Sequence, residues 1–359
     1  MNMKPIIRLW SVRLVVLAQL AASSAGAQSL VGKSAPAVSL AGSGVAAPSA
    51  HASSPLAGYF FDVGHPGLQA IVGIPGSART GGFLAAPDSR AFALAPSLKF
   101  ALFSQGAAGR ATLQPLEPLS DPSPLVGLLE NLDLISISPS GAAAVLYSSQ
   151  AKRAQIVTGL PRTAVGSATL ELAGLAGKIL AVAVNDAGDL ALAVAGSESA
   201  PVLYALKASA APAALLQLRS AVSMTFLPGG SDVLLADRVS NSVMLIRDAA
   251  GAASVVSLAD ANSGLRTPVA VAYSAVESRA FAADASGQFF TLPFNGAAPS
   301  AVQCDCQPTQ LQRMHGSDLF LLTSSSQSAL VLIDAETTPR ISRAALVPLS
   351  SAAVQEDYR

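Results

Sequence analysis

One unit recurs along this chain: an apolar strand, a tight polar turn and a second apolar strand. It reads FLAAPDSRAFALA from Phe83, ISISPSGAAAVLY from Ile135, VAVNDAGDLALAV from Val182, MTFLPGGSDVLLA from Met224, AVAYSAVESRAFAA from Ala270 and LQRMHGSDLFLLT from Leu311. With Ser89, Gly141, Gly188, Gly230, Ser278 and Gly316 as turn markers, the steps are 52, 47, 42, 48 and 38 residues. The runs are too short and too uniformly apolar for amphipathic helices, and Gly, Pro, Ser, Asn or Asp bound them, which reads as strands. Only the stretch 124–131 suggests a helix, and a short one.

Two more strand-like runs follow each hairpin. SVMLIRD from Ser242 leads to ASVVSL from Ala253, and PVLYALK from Pro201 leads to ALLQLRS from Ala214. Four antiparallel strands at a period of about 40 to 50 residues make one blade of a β-propeller. The fold class is therefore all-β, and seven blades are preferred over six. Six turn markers are countable, while YFFDVG from Tyr59 and QAIVGIPG from Gln69 supply further strands to close the ring. Of the residues 51% are hydrophobic, many of them alanine, and such thin layers suit sheets that bury their faces on each other. Val145, Leu192, Leu234, Phe281 and Leu321 fall at matching places in their second strands and should lie at matching depth.

The amino-terminal segment has the layout of a signal peptide. Lys4, Arg8 and Arg13 precede the apolar run 14–22, and Ala25-Gly26-Ala27 has the small residues of a cleavage site. An apolar run of that length is too short to span a bilayer, which takes roughly 20 residues, and no spanning run appears downstream. The expected organisation is a signal peptide at 1–27, an Ala/Ser/Pro-rich linker at 28–56, a propeller at 57–350 and a tail at 351–359. Cleavage after Ala27 would deliver a secreted or periplasmic protein without a transmembrane segment, expected to be a monomer.

The segment DVLLADRVSNSVMLIRDAAG, residues 232–251, resembles the repeat of bacterial YVTN-type (WD40-like) surface propellers, and LFLLTSSSQSALVLIDAET, residues 319–337, resembles it again. In that family a strand ending in a small residue and Asn leads through Ser-Asn-Ser/Thr into Val-x-Val-Ile-Asp. Here Asp237 stands where Asn is usual, and Arg247 precedes Asp248. The resemblance implies a β-propeller fold rather than a particular function, since such propellers serve many unrelated purposes.

Composition and motifs narrow the chemistry. With 22 basic and 22 acidic residues the chain has no electrostatic footprint for nucleic acid. It contains no Gly-x-Ser-x-Gly, HExxH, Walker or EF-hand pattern. Ser149 and Lys152 have Ser-x-x-Lys spacing but fall in a loop. His51, His65 and His315 are not spaced as metal ligands. Asn185, Asp186, Gly188 and Asp189 read as turn chemistry rather than a calcium loop. Cys304 and Cys306 could close a local disulfide, bind a soft metal or stay reduced, the disulfide being preferred. No cofactor or metal site is expected. The expected function is a binding or scaffold module for a protein or cell-surface ligand, met by the loops after each second strand, with Lys152, Arg153, Asp237, Arg238 and Asp284 as the candidate contacts. The alternative is a lactonase-like, metal-dependent hydrolase, which needs several acids or amides converging on the axis.

Overall fold

The computed structural model describes residues 55–62, 67–85, 91–274, 276–316, 318–323 and 329–345. The expected signal peptide, the tail and nearly all of the linker lie outside them, as do His51, His65 and the turn marker Ser89. No helix among the described residues is long and apolar enough to cross a membrane.

The chain forms seven antiparallel sheets in sequence order. Blade 1 is β1 (Leu56–Asp62), β2 (Gly67–Val72) and β3 (Arg79–Ala85); blade 2 is β4 (Phe92–Leu94), β5 (Phe100–Gln105), β6 (Arg110–Pro115) and β7 (Ser123–Pro124). Blade 3 is β8 (Leu134–Ile137), β9 (Ala143–Ser148), β10 (Arg153–Thr158) and β11 (Val165–Glu171); blade 4 is β12 (Lys178–Val184), β13 (Ala191–Gly196), β14 (Val202–Leu206) and β15 (Ala213–Gln217). Blade 5 is β16 (Ala221–Phe226), β17 (Val233–Asp237), β18 (Ser242–Arg247) and β19 (Ser254–Ala259). Blade 6 is β20 (Pro268–Tyr273), β21 (Arg279–Asp284), β22 (Gln288–Pro293) and β23 (Ser300–Gln303); blade 7 is β24 (Gln312–Arg313), β25 (Leu319–Leu321), β26 (Leu330–Asp334) and β27 (Arg340–Ala344). The protein is a seven-bladed β-propeller.

Its core is seven seams between neighbouring blades. On β17, Val233 and Leu235 pack toward blade 4 with Leu192 and Leu203, while Leu234 and Ala236 pack toward blade 6 with Ala282 and Phe290. The two-residue period of a strand thus feeds both faces of one sheet. The last seam joins blade 7 to blade 1, where Leu321 and Leu332 meet Phe60 and Ile71. Past β27, Ala345 reaches the free edge of β3: its N–H donates to Ala78 (2.9 Å) and its carbonyl accepts from Thr80 (3.1 Å). Closure in this way buries faces that no blade could bury alone. Val145, Leu192, Leu234, Phe281 and Leu321 are all fully buried, each toward the next blade in the ring.

Two local expectations are corrected. FLAAPDSRAFALA is not a hairpin: β3 and β4 belong to different sheets, and the hairpin of blade 2 is β4–β5 around residues 95–99. Ala95 donates to Phe100 (3.0 Å), Leu98 donates to Ala95 (2.8 Å), and Leu98 takes a positive φ of 59° in a turn opened by Pro96. Two apolar runs around a polar one look alike whether the chain turns back or passes to the next blade. The helix expected at 124–131 is absent. Leu125 instead donates to Ala111 (2.9 Å), Gly127 takes φ 75°, and Leu129 donates to Gln155 Oε1 of blade 3 (2.7 Å). The sole helix among the described residues is a 3-10 turn, Ala261–Ser263, capped by Asp260 between blades 5 and 6.

Candidate functional site

Because blades 2 to 7 each start at the axis and alternate direction, their turns sort to two ends of the ring. Turns from second to third strand share one end with the links between blades; turns from first to second strand gather round the axis at the other. The five residues singled out from sequence lie at the first end, and they divide by burial. Lys152, Arg153 and Arg238 are exposed, and Arg153 pairs with Glu171 at 2.7 Å across two solvated side chains. Asp237 and Asp284 are buried.

Both buried carboxylates serve the backbone. Asp237 accepts from the N–H groups of Arg219 (2.7 Å), Ser220 (3.0 Å), Val239 (3.1 Å) and Ser240 (3.2 Å). Asp284 accepts from the N–H groups of Arg266 (3.0 Å), Ser286 (2.9 Å) and Gln288 (3.0 Å), and from the Ser286 hydroxyl (2.7 Å). Each ties the turn after its own strand to the link from the preceding blade. Cys304 and Cys306 are joined by a disulfide in the link from blade 6 to blade 7, with Cys304 inside the seam. Gly287 (φ 91°) lets that link approach, since a Cβ there would come within 3 Å of the Cys304 and Cys306 carbonyls.

At the other end, polar groups converge on the axis. Asp186 in the first turn of blade 4 accepts from Ser140 N in blade 3 (2.6 Å) and from Gly229 N in blade 5 (2.8 Å), stapling three turns together. Burial pushes its carboxyl up, but the hydrogen bonds from Gly229, Ser140 and Ser138 outweigh that and hold it below the usual aspartate range. Within the same turn Asn185 donates to Asp189 Oδ1 (2.7 Å) and accepts from the N–H groups of Asp189 and Leu190, and Gly188 takes φ 68°. Tyr273, at the end of β20, reaches across from blade 6 to donate its hydroxyl to Pro139 O of blade 3 (3.3 Å). Burial raises the phenol above its ordinary value; Arg313 opposes the shift and Asp186 adds to it, so the hydroxyl stays protonated and donates.

Arg313 on β24 stands beside that phenol. Its guanidinium lies 5.0 Å from the ring centres of both Tyr273 and Phe320, donates to Tyr273 O, and sits 3.6 Å from Asp318 Oδ1. Asp318 is fully buried and also accepts from the Ser274 hydroxyl (2.6 Å) and Arg279 (3.5 Å). Arg279 reaches Glu277 (3.0 Å) and the carbonyls of Ala335 and Glu336. Next to this cluster opens an axial cavity of about 210 Å³. Leu94, Ala95, Pro96 and Leu98 of blade 2, Thr225 of blade 5, Val271, Ala272 and Tyr273 of blade 6, and Leu311, Gln312 and Arg313 of blade 7 line it. Among the described residues no three His, Cys, Asp or Glu side chains stand close enough together to hold a metal ion.

None of Asp186, Tyr273, Arg313 and Asp318 was read as a site residue from sequence. The available signal was Arg313, an arginine in the first strand of blade 7; the other charges in first strands, Asp62 and Lys178, stand at strand ends, Lys178 far from the first turn of its blade.

No protein-family model matches the chain, and no curated protein matches it. Solved structures do. A functionally unknown protein from Desulfotomaculum acetoxidans aligns at 10% identity and a TM-score of 0.55, covering 82% of this chain and all of that one. The β-propeller domain of Cps50 (Swd1) from Myceliophteria thermophila aligns at 9% identity and a TM-score of 0.52, covering 72% of this chain and 86% of that one. The likeness is one of fold alone.

Proposed function

We propose that this is an exported propeller that binds a small organic ligand at the first-turn end of its axis. The supporting observation is the axial cavity, where apolar walls from four blades meet the side chains of Thr225, Tyr273, Gln312 and Arg313. Concave, mostly apolar sites with a few convergent polar groups are the usual form of a ligand pocket. Export rests on the basic residues, apolar run and Ala25-Gly26-Ala27 site at the amino terminus, and on the resemblance of 232–251 and 319–337 to YVTN-type surface repeats. A lactonase-like hydrolase is the weaker reading, because two carboxylates at this end have structural partners: Asp186 ties its own turn to those of Ser140 and Gly229, and Asp318 meets Ser274, Arg279 and Arg313.

One preparation tests the proposal. Protein recovered outside the cytoplasm should begin at Gln28, and its melting temperature should rise with some member of a panel of small organic acids, amides and amines. At a hundred times Kd a ligand adds about 2.7 kcal/mol to a fold that binds it only when native. Thr225→Met, which fills the cavity from blade 5, should erase the shift. A retained Met1, or a shift of equal size in Thr225→Met, would contradict the reading.

A further inference from the structure

We infer that the axial cavity takes an uncharged organic molecule with a compact apolar body, and that the ion cluster around Asp318 excludes charged ones. The inference rests on the cavity being the ligand site. Its ground is a charge balance. Arg313 is the one charged side chain among the described residues that line the cavity, and its guanidinium is engaged on several sides. It donates to Tyr273 O, stands 3.6 Å from Asp318 Oδ1 and lies 5.0 Å from the ring centres of Tyr273 and Phe320. Asp318, fully buried, also meets Arg279 (3.5 Å), which Glu277 holds from the solvent side at 3.0 Å. Two guanidiniums thus face two carboxylates, and the cluster has no charge to spare. Asp186, across the axis, is not among the residues that line the cavity, and its two oxygens accept from the N–H groups of Ser140 and Gly229.

The other polar side chains of the wall are likewise committed within the protein. Gln312 donates to Tyr59 O, Thr225 to Phe226 O (3.2 Å) and Tyr273 to Pro139 O (3.3 Å), while Leu94, Leu98, Val271 and Leu311 supply apolar surface. A charged ligand sheds hydration on entering such a wall. To recover it, an anion must draw Arg313 from Asp318, or a cation must draw Asp318 from the two arginines. Either exchange leaves a buried charge without its partner, so neither offsets the loss. An uncharged ligand meets no such cost and gains from the apolar area it covers. A cavity of about 150 Å³ accommodates benzene, and the axial cavity, at about 210 Å³, leaves room for one small neutral substituent.

The test is titration calorimetry of the full chain at neutral pH with three probes of one size: neutral benzamide, anionic benzoate and cationic benzylamine. Benzamide should bind at least tenfold more tightly than either ion, a difference of about 1.4 kcal/mol or more. Thr225→Met should abolish its binding. Asp318→Asn removes one anion and leaves Arg279 and Arg313 with Glu277 alone, so benzoate should gain at least tenfold while benzamide changes less than threefold. If Asp318→Asn does not fold, the order of the three probes on the wild-type protein still decides. A folded Asp318→Asn protein that gains nothing for benzoate overturns the role of the cluster. Benzoate or benzylamine binding as tightly as benzamide, and lost in Thr225→Met, overturns the exclusion of charge but keeps the cavity as a ligand site. Benzamide that fails to bind the wild-type protein overturns the inference, and benzamide binding that survives Thr225→Met overturns the site assignment as well.

Discussion

Leu234→Asp is expected to destabilise the protein by more than about 4 kcal/mol, enough to leave little folded material. Leu234 is fully buried in the seam between blades 5 and 6, against Val243, Leu245, Val271, Ala282 and Phe290. Removing a buried leucine forfeits roughly 1.5 to 3 kcal/mol, and a carboxylate in its place adds the penalty of a polar group without partners. Because each blade leans on its two neighbours, a broken seam opens the ring rather than loosening one sheet. Val256→Asp in the outer strand of the same blade is the control: Val256 is 39% exposed, so the change should cost less than about 1 kcal/mol. Urea unfolding followed by circular dichroism measures both, and a Leu234→Asp protein within 1 kcal/mol of wild type would remove the seam from the account.

The second large effect concerns the two buried aspartates at the end opposite the cavity. Asp237→Ala strands four backbone N–H groups that now converge on one carboxylate, and Asp284→Ala strands three together with a hydroxyl. Hydrogen bonds to a charged group contribute about 1.5 to 3 kcal/mol each, and orphaned buried donors cost about 1 to 3. Water can reach some of the freed groups, so each alanine variant should lose about 3 to 5 kcal/mol rather than the full sum. Lys152→Glu and Arg238→Glu, both on solvated turns, should stay within about 0.5 kcal/mol of wild type. Losses below 1 kcal/mol at Asp237 and Asp284 would leave their carboxylates available for a ligand instead.

Five of the six hairpins were legible in the sequence because Ser-Pro-Ser-Gly, Asn-Asp-Ala-Gly, Pro-Gly-Gly and their equivalents mark both a polar interruption and a backbone able to reverse. The sixth was misplaced because the reversal in blade 2 is made by Leu98 at positive φ, where no Gly or Asn advertises it. Blade number followed from the apolar runs at Tyr59 and Gln69, which fall in β1 and β2 and pack on both blade 2 and blade 7. The axial cluster was not legible. Tyr273, Arg313 and Asp186 come from three blades that meet only when the ring closes, and each is a single letter in its own repeat. Asp237 and Arg238 adjoin in the chain and read alike as turn charges, yet one is buried under four N–H donors and the other is solvated. Burial, which a strand pattern gives poorly at its ends, separates them.

The claim that the ligand meets the first-turn end of the axis is tested most directly by hydrogen exchange of the full chain with and without a saturating ligand from the thermal-shift panel. The account predicts slowed exchange in the segments 95–99, 138–141, 223–226, 271–274 and 311–314, and unchanged exchange in the turns 149–152, 238–241 and 285–287 at the other end. Protection confined to those last three turns would contradict it.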